Sequence, residues 1–222
     1  MSHRTSPHSA REIQRRRTFL AAAATLVAAA VPFGCRLPPK PFPPEDTPEG
    51  AYARIALAVA EGRVRDVFPY LEDEAQWAAH TIQKERALAL RKARSSFPAA
   101  DLARLEAEVG EDARAADGAD VFARIARRRG WITRLRRDLS GIARVERDGD
   151  RVTLVTAKGT RYPMRRRTVG IYGLTSFTAD LADGAEKATR DRKRIEEAAR
   201  DFAGPAPASA DAGDAGGSGD AP

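Results

Sequence analysis

Apolar residues recur at helical spacing through the first two thirds of the chain's middle part. Thr47-Pro48-Glu49 offers an N-cap, a proline in the first turn and an acid at the positive helix end, so a helix is predicted to start there. Tyr52, Ile55, Ala56 and Val59 form its inward stripe, and Gly62 ends it. A second, short helix over residues 64–71 brings Val67, Phe68 and Leu71 to the same side. Glu72-Asp73-Glu74 then opens a long amphipathic segment that runs to about Ser96 and stops at Pro98. Helical patterns follow at residues 102–109 and 121–129, the latter closed by Gly130, with Trp131, Ile132, Leu135 and Leu139 continuing the spacing.

The period then changes to two. Residues 142–147, 151–157 and 160–166 read as strands joined by turns at Asp148-Gly149 and Lys158-Gly159, with residues 169–172 as a short fourth strand. Helical spacing returns over 177–202, where Leu181, Ala188, Ile195 and Phe202 lie seven apart and Ala185 and Ala199 widen the stripe. This helix is expected to pack on the sheet. The predicted class is α+β: a helix-rich N-terminal part, an antiparallel β-meander of three to four strands and a long C-terminal helix.

The two ends read differently. Residues 1–34 form an export signal, with Arg4, Arg11, Arg15, Arg16 and Arg17 against Glu12, followed by an apolar run over residues 19–34. That run is shorter than the roughly 20 residues of a membrane span. Arg16-Arg17-Thr18-Phe19-Leu20 resembles the twin-arginine export motif, with Arg16, Arg17, Phe19 and Leu20 at its defining positions. Gly34-Cys35, directly after the apolar run, resembles a lipoprotein cleavage box, which implies that Cys35 becomes the diacylated N-terminus. Ordinary cleavage after Ala28-Ala29-Ala30, leaving Cys35 as a free thiol, is the rival reading.

Residues 35–46, rich in proline, are expected to form a lipid-anchored tether. Residues 47–203 form one α+β domain, large enough to bury a core without metal or disulfide help. Residues 204–222 contain only Ala, Gly, Pro, Ser and Asp, a composition that predicts a disordered tail.

The capped helix, glycine break and short aromatic helix over 47–71, followed later by a meander, resemble small exported members of the nuclear-transport-factor-two-like superfamily, the cone-shaped fold shared with ketosteroid isomerase. That resemblance implies a cavity in which one carboxylate serves as a general base. Residues 156–177 resemble uncharacterised bacterial lipoproteins, which implies no activity.

Composition narrows the chemistry. The chain is 42% hydrophobic and 31% charged, with 44 Ala, and 32 of its 38 basic residues are Arg. One Cys excludes an intrachain disulfide or a thiolate metal cage. Once the signal is removed, His80 is the only histidine, with no second imidazole to share a metal, and it is expected to be a partly buried, hydrogen-bonded side chain. Ser140 and Ser176 have no base partner in sequence, and no phosphate-binding glycine loop occurs. Glu72, Asp73, Glu74 and Asp138 read as solvated helix starts or turns. No cofactor and no catalytic set is therefore assigned, and the enzyme reading is disfavoured.

Basic clusters are the strongest surface signal: Arg127, Arg128 and Arg129, then Arg134, Arg136 and Arg137, and separately Arg165, Arg166 and Arg167. Export argues against nucleic acid, and loss of residues 1–34 lowers the formal charge of +7. Anionic lipid headgroups or an acidic envelope partner fit better. The expected function is that of a membrane-anchored envelope lipoprotein, facing the periplasm or exterior and acting as a binding or scaffolding module. The alternative is a small-molecule-binding or isomerase-like enzyme with a cone-shaped cavity.

Overall fold

The computed structural model describes residues 42–202. The export signal with Arg16, Arg17, Phe19 and Leu20, the acylation candidate Cys35 and the tail 204–222 lie outside the described residues. Those described form α1 (Pro48–Ala60), a 3-10 helix (Val64–Tyr70), α2 (Asp73–Arg94), α3 (Ala99–Ala113), α4 (Gly118–Arg128), α5 (Trp131–Asp138), four strands and α6 (Thr178–Phe202). The strands are β1 (Ile142–Asp148), β2 (Arg151–Thr156), β3 (Arg161–Arg166) and β4 (Tyr172–Leu174), in an antiparallel sheet of order β1-β2-β3-β4. This is the α+β class that the hydrophobic pattern predicts.

Local chemistry accounts for the element ends. The Thr47 hydroxyl accepts from the Gly50 amide at 3.0 Å, and the Asp117 carboxylate caps α4 by accepting from the Asp120 amide at 2.8 Å. Residues 42–46, the described part of the proline-rich stretch, lie against α1. Arg54 donates to the Pro43 carbonyl at 3.1 Å and sits over the Phe42 ring, and Tyr70 donates to Glu45 at 2.6 Å. The chain comes so close to α1 that a Cβ on Gly50 would overlap the Pro44 carbonyl.

The inner sheet face presents Val152, Leu154, Tyr162, Met164, Tyr172 and Leu174 to Tyr52, Ile55 and Val59 of α1, Val67 and Phe68 of the 3-10 helix, and the apolar sides of α4 and α5. Phe122 sits centrally, with ring centroids 6.0–6.4 Å from Phe68, Phe177 and Trp131. Trp131 stacks on Phe177 at 4.6 Å. The outer face is charged: Glu146 accepts from Arg144 at 3.0 Å and from Arg161 across the sheet.

Two features differ from expectation. The fourth strand begins at Tyr172, not at Val169, because residues 167–170 are used in a tight turn. The Gly170 amide donates to the Arg167 carbonyl at 2.9 Å, and Gly170 has φ of +89°, a conformation that favours glycine. And α6 runs mainly along α2 rather than over the sheet. Contacts pair Glu72 with Thr178, Arg86 with Asp191 and Phe97 with Phe202, so the two helices are parallel. They leave the core from one seam, where the Glu72 amide donates to the Leu174 carbonyl at 3.2 Å. Ala75, Ala78, Ala79, Ala89 and Ala93 on α2, with Ala185, Ala188 and Ala199 on α6, are buried and keep both surfaces flat. α3 returns along α2, tied by Arg94 to Glu106 at 2.7 Å near the bend and Gln83 to the Ala115 carbonyl at 3.3 Å.

Candidate functional site

The buried stripe of α2 begins with Ala75, Ala78, Ala79 and Ile82, and Trp77 falls outside it. Its indole is 73% exposed. Val169, at the tip of the turn before β4, is 66% exposed. Both border one open groove of about 570 Å³, together with Asp73, Gln76, His80, Arg167 and Thr168.

The polar wall of this groove is satisfied internally. Arg167 donates to Asp73 at 2.6 Å, to Gln76 at 3.2 Å and to the Pro69 carbonyl. The Thr168 amide and hydroxyl both reach the other Asp73 oxygen at 3.1 Å. Gln76 donates in turn to the carbonyls of Phe68 and Leu71. Burial pushes the Asp73 carboxyl up, but the hydrogen bonds from Thr168 and Arg167 outweigh it and hold the group below its usual 3.8. His80 is exposed rather than partly buried, and its ring stands edge-on to Phe68 at 5.6 Å. Gly118 gives it room, since a Cβ there would lie 2.8 Å from the imidazole.

The arginines grouped by sequence have several different surroundings. Arg127, Arg134 and Arg166 are exposed, without an ion-pair partner among the described residues. Arg128 lies 3.4 Å from Asp112, Arg129 lies 2.6 Å from Asp180 and over the Trp131 ring, and Arg137 lies 2.8 Å from Asp138. Arg136 donates to the Val59 carbonyl at 3.1 Å, tying α5 to the end of α1. Arg165 lies 3.4 Å from Glu72, and Arg167 belongs to the groove wall.

The carboxylates weighed as general bases are placed as follows. Glu72 is buried where α2, α6 and β3 meet, accepting from the Thr178 hydroxyl. Asp138 is held below its usual range by the hydrogen bond from Arg137. Glu74 is exposed. Ser140 accepts from the Lys158 amide at 3.2 Å through its hydroxyl, and its backbone exchanges hydrogen bonds with the Tyr52 hydroxyl at 2.7 and 3.1 Å. Tyr162 packs on Tyr52 with centroids 5.4 Å apart, and its hydroxyl is buried without a partner. Desolvation, with the neighbouring Tyr52, pushes the Tyr162 phenol up to about 12. Among the described residues no cluster of three His, Cys, Asp or Glu could hold a metal, and no helix is long and apolar enough to cross a membrane.

Sequence reasoning passed over the Trp77–Val169 groove. The signal was present in the phase of α2: with Ala75, Ala78 and Ala79 inward, Trp77 must point away from the core. Comparison with protein-family models, with curated proteins and with solved structures found no match to this chain.

Proposed function

We propose that this protein is an exported, membrane-anchored envelope lipoprotein whose α+β domain is a binding or scaffolding module. Arg16, Arg17, Phe19 and Leu20 direct export, and Cys35 carries the lipid. The observation that carries the module reading is how the sheet is covered. Tyr162, Met164, Leu154 and Leu174 are buried in one core cluster with residues of α1, α4 and the 3-10 helix, and exposed chemistry for a partner lies outside, in the Trp77–Val169 groove and the unpaired arginines.

The deciding experiment is mass spectrometry of the mature N-terminal peptide, with membrane fractionation of wild type and Cys35→Ala. A diacylglyceryl mass on Cys35 supports the reading. An unmodified thiol with the N-terminus at Val31 removes the anchor and leaves a soluble exported protein.

One observation favours the isomerase-like alternative: the buried, unpartnered Tyr162 hydroxyl beside Tyr52, a polar pair of the kind a small ligand could engage. That reading requires a ligand to reach Tyr162 through the packed inner face. A Tyr162→Phe variant that loses binding of a steroid or other apolar probe, with no loss of stability, would support it.

A further inference from the structure

The two most exposed large apolar side chains among the described residues, Trp77 and Val169, come from elements far apart in sequence and flank the same groove. A large apolar side chain left in water beside another marks a contact site. Its chemistry limits the occupant. Asp73, Gln76, Arg167 and Thr168 spend their hydrogen bonds on one another and on backbone carbonyls, so a polar ligand would find only His80 and the Trp77 indole N–H free to bond.

Area limits it further. An exposed indole and a valine offer on the order of 300 Å² of surface, against about 800 Å² per partner in an ordinary protein interface. Neither feature is a continuous helix face or strand edge that a partner chain could follow. A lipid surface needs no matching shape, and tryptophan, apolar with one polar N–H, settles at the headgroup level. The charges agree. Arg166 beside the turn and Lys84 on the exposed side of α2 are cations without a carboxylate partner among the described residues. Of the run Glu72-Asp73-Glu74, Glu72 is buried and Asp73 is held by Arg167, which leaves Glu74 as the one exposed acid.

We infer that the Trp77–Val169 edge seats the domain on a lipid bilayer, the indole and the isopropyl group entering the headgroup layer while Arg166 and Lys84 meet lipid phosphates. The inference rests on the envelope reading for the membrane at hand, but the contact itself does not need Cys35. It adds a second, reversible attachment that fixes which side of the domain faces the bilayer.

Trp131 is 4% exposed and stacked on Phe177, so a change in fluorescence on lipid contact reports Trp77. The full-length chain carrying Cys35→Ala is mixed with phosphatidylglycerol vesicles bearing brominated acyl chains. Trp77 emission is expected to move to the blue and be quenched by bromine. Val169→Asp is expected to weaken partitioning on the order of tenfold, and Trp77→Phe to leave only the unquenched Trp131. Both positions are exposed, so neither change threatens the fold. An unshifted, unquenched Trp77 in the presence of vesicles overturns the inference. So does a blue shift that appears without lipid and grows with protein concentration, which would mark a second copy as the occupant. The anchor is judged separately: an acylated Cys35 with a silent Trp77 ends the inference and keeps the lipoprotein reading, and a quenched Trp77 without acylation does the reverse.

Discussion

Arg86 on α2 and Asp191 on α6 face each other at 2.7 Å in the middle of an interface rich in buried alanines. Arg86 is buried, and Asp191 is its ion-pair partner among the described residues. Asp191→Ala is expected to destabilise the protein by about 3 kcal/mol, because a guanidinium is left unpaired away from water. Replacing both, Arg86→Met with Asp191→Leu, should recover most of that loss. Urea unfolding of the three variants checks this, and a double variant as unstable as the single one would refute it.

Stability should fall in acid, and two partly buried carboxyls contribute to that fall. Burial raises Asp73 and Asp191, yet hydrogen bonds from Thr168 and Arg167 in one case, and Lys187 and Arg86 in the other, bring both below 3.8. A carboxyl lowered in the folded state stabilises it above the unfolded value, and that contribution is lost as pH drops through the folded value. The part of the melting temperature that these two supply is therefore expected to hold until the pH reaches about 3.8 and to decline below it. Asp73→Asn should start lower at neutral pH and show a shallower decline.

Gly173 has no room for a side chain. A Cβ there would lie 2.5 Å from the Glu72 nitrogen and 2.6 Å from its Cα, both backbone atoms at the seam between β4 and α2. Gly173→Ala is expected to cost about 3 kcal/mol, since neither side can yield without moving a whole element. A melting temperature equal to wild type would show that the seam is looser than described.

Tyr162→Phe tests the unpartnered hydroxyl. Burying a polar group without a hydrogen bond is unfavourable, so removing it is expected to stabilise the protein by up to about 1 kcal/mol. Ultraviolet titration of the wild type should show two tyrosines, Tyr162 and the Glu45-bonded Tyr70, ionising only near pH 12, and the Phe variant should lose one of them. A destabilised Phe variant would reveal a bound water serving that hydroxyl.

Export is tested by changing Arg16 and Arg17 together to Lys. Precursor is expected to accumulate in the cytoplasm, read by immunoblot of fractions, and undiminished export would exclude the twin-arginine route.

What the sequence revealed follows physical signal strength. The meander was legible because period-two strands were separated by Asp148-Gly149 and Lys158-Gly159, and both glycines take positive φ, +60° and +80°. The start of α1 was legible from its Thr47 cap, whereas the Asp117 cap of α4 went unread and that helix begins three residues before the expected 121. The partner of α6 was not, because alanine stripes on α2 and α6 say that a neighbour is close without saying which. Val169 misled for a related reason: a β-branched apolar residue next to a strand reads as strand, and only the Gly170 turn places it in solvent. The arginine clusters were visible as composition, but whether each guanidinium holds the fold or faces outward depends on partners distant in sequence, such as Asp73 for Arg167 and Val59 for Arg136.

The parallel pairing of α2 with α6 also sets an order of events in time. The contacts that join them, Thr178 to Glu72, Arg86 to Asp191 and Arg192 to Glu85, span 105–107 residues of chain. Closing so long a loop carries an entropy cost that local helix and hairpin formation does not, so these contacts come late in folding. Until the last helix arrives, α2 has α3 and α4 beside it but nothing over the face that α6 covers. A chain halted before Thr178 would hold a meander and several helices yet leave that face open to water, to chaperones or to another unfinished chain.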